Sequence, residues 1–530
     1  MKRLMLVWVM ILCLLPLFGL AEDGEDALYP IRESGLWGYM NRQGETVISP
    51  QWKTALPFSG DAAFVSLSVV TNPYSQSLSH GHNDGLINRQ GNYIVAPKPE
   101  RIIMEYDTAW RIADMETGAE GFCDKASGFY QPPLADYEMV FPLGDGSGPV
   151  PVMNSDGMVG YVSRETGETV IPFQYTGELY VSAFYDGYAR PRDEIAELDE
   201  YGEAYAWKEI EHLIDSQGNE VTLPGGMIPV SYVKDGYVVY SIPLETEEAN
   251  EETPLPPETG EKAEEESIWD VLGYGIYKPN QRGIGLARLD GTVIIEPDPS
   301  IVLMSLPDEN GIVCFLKDTH ETEMIAGTDV PLLLAGHMNM EGNEIVPPAY
   351  NIVDTEYITY RFVNGYAVIE DLGVGPDSDM REVILDPAGH EIFSRQVYGN
   401  GCNFFMDDRV QENGLIWYSL AETGFNGTVA GRRRYGLLRI SDGQAEYLTD
   451  AIYESHICSV LPETRRENFA EGLHPMQKDG LWGYINEQAE MVILPVWDAA
   501  SSFRDGLALV EKDGKLMYID HSGAVVWEEQ

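Results

Sequence analysis

The sequence predicts an all-β fold built from about eleven three-stranded antiparallel repeats, and three observations predict it. The phrase DALYPIRESGLWGYMNRQGETVISPQW at Asp26–Trp52 returns near the far end as EGLHPMQKDGLWGYINEQAEMVILPVW at Glu471–Trp497. Self-similarity at a fixed phase marks a repeat architecture. Between the two copies, short β-prone runs are joined by tight turns, ten of which end in glycine: Gly44, Gly91, Gly128, Gly167, Gly218, Gly291, Gly342, Gly389, Gly443 and Gly523, with Ala489 as the exception. Glycine supplies the positive φ that such hairpins need. Finally, the spacing of these turns varies from 34 residues (Ala489 to Gly523) to 73 (Gly218 to Gly291). The repeat is therefore elastic, and an elastic array can reach 530 residues without one growing core.

Each repeat reads as a lead strand of the DGLALVE type, a motif strand of the LWGYIN type and a return strand of the EMVILP type. In the motif strand the pleat puts Trp37 and Tyr39 on one face and Leu36, Gly38 and Met40 on the other. Trp482 and Tyr484 repeat this against Leu481, Gly483 and Ile485. The Trp–Tyr pair is expected to stack in a column along successive units, and the glycine to let another side chain lie against the backbone. Pro50, Pro172, Pro297, Pro347 and Pro495 are expected to follow the return strand and stop it. Meanders of this length resemble propeller blades, so a β-propeller-like toroid is the first expectation and an open solenoid the second.

The pattern resembles the bacterial WG repeat family. Trp37-Gly38-Tyr39 with Gly44 and Trp482-Gly483-Tyr484 carry the resemblance most strongly. Gly160-Tyr161 with Gly167, and Gly436 in Tyr435-Gly436-Leu437, keep part of it without the tryptophan. The resemblance implies an interaction scaffold and brings no catalytic motif, cofactor or metal site.

Composition narrows the classes further. Residues 1–21 read as a secretory signal, with Lys2 and Arg3 ahead of an apolar run and Gly19-Leu20-Ala21 at its end; an uncleaved anchor is the other reading. A formal net charge of −52 sets the chain against nucleic acid and anionic surfaces, and leaves cationic partners and weak calcium association open. Cys123, Cys314, Cys402 and Cys458 are too few for a disulfide scaffold, though Cys402 and Cys458 fall at related positions where a disulfide could join them.

The connection between lead and motif strands is tight near the C-terminus and swollen elsewhere: Thr71–Asn83, Pro191–Tyr205, Glu245–Ser267, Lys317–Asp329, Asp371–Met380 and Ala421–Arg434. Insertions at one phase emerge on one face, which repeat proteins often use for binding. The acidic, proline-rich segment 245–267 sits at this phase. It reads as a loop inside one array, or as a linker between repeats 22–244 and 268–530.

Candidates for chemistry are sparse. His80-Gly81-His82-Asn83-Asp84 has metal-ligand residue types but too few of them. Gly144-Asp145-Gly146-Ser147-Gly148 lacks the first glycine of a nucleophile elbow and reads as a turn. Asp377-Ser378-Asp379 lacks calcium-loop spacing. Arg432-Arg433-Arg434, beside Phe425, is the one basic run; it reads as a solvated loop or as a clamp for a carboxylate or anionic glycan. Tyr74 and Tyr205 could stack on sugars. The expected function is an exported, non-catalytic scaffold presenting variable loops to a protein or glycan. A purely structural surface protein and an enzyme of unknown class are the other readings.

Overall fold

The computed structural model describes residues 27–70, 81–134, 137–139, 143–176, 183–198, 204–243, 282–325, 328–352, 362–373, 380–397, 409–423, 429–455 and 469–530. The 1–21 signal, all of 245–267, Tyr74, His80, Asp377–Asp379, Cys402, Phe425 and Cys458 lie outside them. Among the described residues nearly all regular structure is strand, arranged as eleven antiparallel units in chain order.

Unit 1 comprises Tyr29–Glu33, Leu36–Met40 and Thr46–Trp52. These are the lead, motif and return strands in the expected order. Unit 2 (Ala62–Ser66, Asp84–Asn88, Tyr93–Val95) adds a short first strand, Thr54–Ala55. Units 3 (within 101–134), 4 (137–175), 6 (228–298), 7 (301–350) and 11 (499–528) have this four-stranded form. Units 8 (367–397), 9 (415–447) and 10 (473–497) have three strands. Unit 5 (188–215) splits into two strand pairs.

The turn between motif and return strands obeys one rule. The ten glycines all have positive φ, between 70° and 86°, and Ala489 takes the same conformation at 59°. In seven of the eleven turns the residue three ahead is an Asn or Asp that accepts hydrogen bonds from the turn's own backbone, as Asn41 Oδ1 does from the N–H groups of Gln43 and Glu45. Asn486 repeats this with Gln488 and Glu490. The side chain mimics a backbone turn and fixes the hairpin.

The motif-strand glycine has a different cause from the expected one. In unit 1 Trp37 pairs with Trp52 and Tyr39 with Ile48, so three return-strand residues arch over Gly38 alone. Unit 10 repeats it with Trp482–Trp497, Tyr484–Ile493 and Gly483. A Cβ on Gly483 would lie 2.5 Å from the Ile493 carbonyl oxygen. The glycine therefore admits the backbone of a bulge. Gly436 and Gly285 also admit a ring, Tyr418 and Tyr240 respectively, as anticipated. The prolines do not stop the return strand: Pro50, Pro172, Pro297, Pro347 and Pro495 lie within it, at the bulge, where the missing N–H costs no ladder bond.

Each unit packs face to face on the next. Tyr39, Ile48 and Trp52 of unit 1 meet Phe58, Ala63 and Val65 of unit 2. Similar apolar clusters join units 2 to 3, 3 to 4 and 4 to 5. The series continues from 6 to 7, 7 to 8, 8 to 9, 9 to 10 and 10 to 11. Units 5 and 6 meet where Leu223 packs on Val238, Tyr240 and Ala287. The array then closes. Tyr29, Ile31 and Met40 of unit 1 pack on Leu509, Leu516 and Tyr518 of unit 11. Arg32 grips Glu529 with two bonds of 2.7 and 2.8 Å, and the Tyr518 hydroxyl donates to the Pro30 carbonyl at 3.0 Å. The fold is a toroid of packed sheets, not an open solenoid.

The strand before the acidic segment, Tyr237–Pro243, pairs residue for residue with the strand after it, Arg282–Arg288. These are the lead and motif strands of unit 6.

Candidate functional site

Two edges of the ring are set by the lead strand, which starts at a two-residue turn and ends at the lead–motif hairpin. At the starting turns, Asp186, Asp235, Asn364, Glu471 and Asp505 adopt positive φ ahead of a glycine. Successive turns touch. Asp186 N–H donates to Asp145 Oδ2 at 2.7 Å, Gly236 N–H to Asp186 Oδ2 at 3.0 Å, and Gly506 N–H to Glu471 carboxylate oxygens at 3.1 Å. A phenylalanine two residues before the turn residue latches onto the previous unit. Tyr39 meets Phe58 at 5.0 Å, Tyr161 meets Phe184 at 5.2 Å, and Tyr484 meets Phe503 at 5.0 Å. The hydroxyls of Tyr39 and Tyr484 donate to the carbonyls of Leu56 and Ser501, both at 2.8 Å. In unit 7 His337 stands in the tyrosine's place against Phe362. The latch is Tyr on Phe; the Trp–Tyr column does not form. Trp482 is buried against unit 11, while Trp37 is half-buried beneath Arg32, 5.9 Å from its ring centroid.

The sequence reading missed this latch. Its signal was present as Phe-x-Asp/Asn-Gly in Phe184-Tyr185-Asp186-Gly187, Phe362-Val363-Asn364-Gly365 and Phe503-Arg504-Asp505-Gly506.

At the opposite edge the swollen connections prove to be hairpins in several units. Pro191–Tyr205 is occupied by paired strands Arg192–Leu198 and Ala204–Glu211. Lys317–Asp329 is the far half of a hairpin of Ile312–Ile325 with Thr328–Asn339, paired out to Ile325 and Thr328. Ala421–Arg434 belongs to Leu415–Thr423 with Val429–Ser441. Arg432, Arg433 and Arg434 are strand residues there, not a solvated loop. Arg434 Nη1 lies 3.0 Å from Glu454 Oε1, and Arg433 pairs in register with Ala421. Hairpin bases are braced by charge. Arg192 and Arg190 both meet Glu211, and His212 bridges Asp193 and Glu220, each at 3.0 Å.

The other candidates resolve into structural roles. His82 Nδ1 lies 3.0 Å from Asp84 Oδ2, which also accepts from Ile103 N–H of the next unit. Burial raises the Asp84 carboxyl above its usual range. Within 144–148, Asp145 and Ser147 each accept a backbone N–H from the next turn, so the segment is an inter-unit turn. Among the described residues no group of three or more His, Cys, Asp or Glu side chains is placed to hold a metal ion. Cys123 and Cys314 are buried free thiols, and burial pushes the Cys123 thiol to about 11.

The bulged glycine and the latching tyrosine coincide in the stretches 37–68, 160–190 and 482–515, and these are the stretches that match the profile of the WG-containing repeat family. Those three stretches are WG-containing repeats. The same glycine bulge recurs outside them, as unit 7 shows with Ala335-Gly336-His337. No curated protein matches the chain. Solved structures similar to the chain include a eukaryotic initiation factor (11% identity, 89% of this chain and 96% of that one, TM-score 0.35). BamB from Moraxella catarrhalis (10%, 89% and 94%, 0.23) and the designed Ika8 protein (12%, 71% and 92%, 0.26) are others. The ring itself is defined by its own closing contacts between units 1 and 11.

Proposed function

We propose that this WG-repeat ring is an exported, non-catalytic scaffold that presents its lead–motif hairpins to a protein or glycan partner. The observation that carries the reading is the placement of the long connections. Six of them occur at one phase of the repeat, so units packed in the same sense send them to one edge of the ring. Turns, latches and sheet faces are spent on holding the ring, while the hairpins of units 7 and 9 extend beyond what packing needs. The apolar run at 4–20 supports export, and the charge of −52 favours a neutral or basic partner.

The test compares the full chain with a variant in which the hairpins of units 5, 7 and 9 are cut to tight turns. Both are screened on a glycan array and against extracellular proteins. Binding that disappears in the trimmed ring, at unchanged melting temperature, supports the reading. Binding that survives the trimming overturns it. Failure of both rings to bind anything favours a purely structural role. Export is checked separately by the mass of secreted material, which should begin near Glu22.

A further inference from the structure

At the junction of units 5 and 6 four tyrosines flank two touching turns. Tyr185 and Tyr188 bracket Asp186-Gly187, Tyr237 follows Asp235-Gly236, and Tyr232 approaches just ahead of the second turn. Tyr185 and Tyr232 lie with ring centroids 4.8 Å apart and planes tilted 38°. Tyr232 nevertheless leaves 45% of its surface open.

The fold does not require these rings. Equivalent positions hold Pro57 and Ser502 where unit 6 has Tyr232, and Ser59 and Arg504 where unit 5 has Tyr185. Tyr185, Tyr188 and Tyr232 take no part in the apolar clusters on either side of this junction. Beside them Arg288 lies over Tyr237, 4.6 Å from its centroid, and donates to its hydroxyl at 2.6 Å. Rigid aromatic faces beside fixed turn carboxylates, an arginine and Lys234 combine a flat apolar surface with hydrogen-bonding groups of both kinds. Aromatic side chains with a polar tip suit a ligand that is apolar on one face and wet at its rim.

We propose that the unit 5–6 junction binds a neutral polysaccharide, stacking a sugar ring on Tyr232 and Tyr185. A pyranose offers a C–H face to the rings and equatorial hydroxyls to the side chains around them. The overall charge of −52 sets the protein against anionic glycans. This site lies at the turn edge, opposite the hairpins, and stands or falls independently of the hairpin reading.

The experiment titrates cellohexaose and chitohexaose into the full chain by calorimetry. Tyr232→Ala is expected to weaken the tighter of the two about tenfold, since an exposed ring is lost without touching the ring's core. Tyr232→Phe keeps the stacking face and should stay within about twofold. The hairpin-trimmed ring should bind as the full chain does. The proposal is overturned if neither oligosaccharide binds, or if Tyr232→Ala binds unchanged. It is equally overturned if trimming the hairpins abolishes binding, or if hexalysine binds in a Tyr232-dependent way while the sugars do not.

Discussion

Gly483 and Tyr484 are neighbours with separate duties. The glycine yields to a backbone arch, and the tyrosine reaches the next unit. Gly483→Ala forces a Cβ to within 2.5 Å of the Ile493 carbonyl, which the strand can relieve only by straightening its bulge. We expect a loss of about 1–3 kcal/mol, the range for overpacked sites, seen as a lower urea midpoint. A midpoint equal to wild type would mean the bulge is not fixed. Tyr484→Phe keeps the ring on Phe503 and removes the buried bond to Ser501, so a smaller loss of about 1 kcal/mol is expected by the same measurement. Trp482→Ala should cost more than either, about 3–5 kcal/mol, because the indole is buried between units 10 and 11.

At the scale of the element, strand order, the count of units and the phase of the insertions were legible because hairpin glycines and alternating apolar residues are local signals. The bulge was not, because its cause is a register shift between two strands, which no single strand records. The prolines were misread for the same reason: next to a bulge, the absence of an N–H is harmless. The long hairpins were misread as loops because their polar faces lack the apolar alternation of a half-buried strand. Arg432–Arg434 extends into such a hairpin. Unit 6 provides the sharpest test at this scale. Seven residue pairs join the strands on either side of 244–281, so protease cleavage within that segment should leave the two pieces on one sizing-column peak under native conditions. Separation into two folded halves would show that the pairing does not hold them. Replacing 245–267 by a short turn should leave stability level or slightly higher, because closure entropy changes only about 0.6 kcal/mol per doubling of loop length.

For the whole molecule, the decisive contacts are those that close the ring, and the sequence held them only as two similar ends. The closing interface buries tyrosine hydroxyls: burial pushes Tyr29 to about 12 and lifts Tyr518 further still. Below pH 10 both are neutral, folded or not. Above it an unfolded tyrosine ionises while the buried one resists, so the closing interface loses stability as pH rises from 10 through 12. Alkaline titration followed by tryptophan fluorescence should show this transition, and a Tyr29→Phe, Tyr518→Phe double variant should shift it upward. An identical transition in the double variant would assign alkaline loss to other tyrosines.

The same closure has a consequence for biogenesis. Ten of the eleven junctions join units adjacent in the chain and can form as soon as both are made. The last needs Tyr29, Ile31 and Met40 to meet Leu509, Leu516 and Tyr518, almost the full length away. Throughout synthesis or transport the protein is an arc with a bare apolar face at its leading end and another on whichever unit was made most recently. Each is shaped to receive a sheet, and each can be satisfied by the wrong molecule. Until the final twenty or so residues arrive, two nascent arcs are complementary to one another, and dilution or a chaperone at those faces decides whether a chain becomes a ring or a fibre.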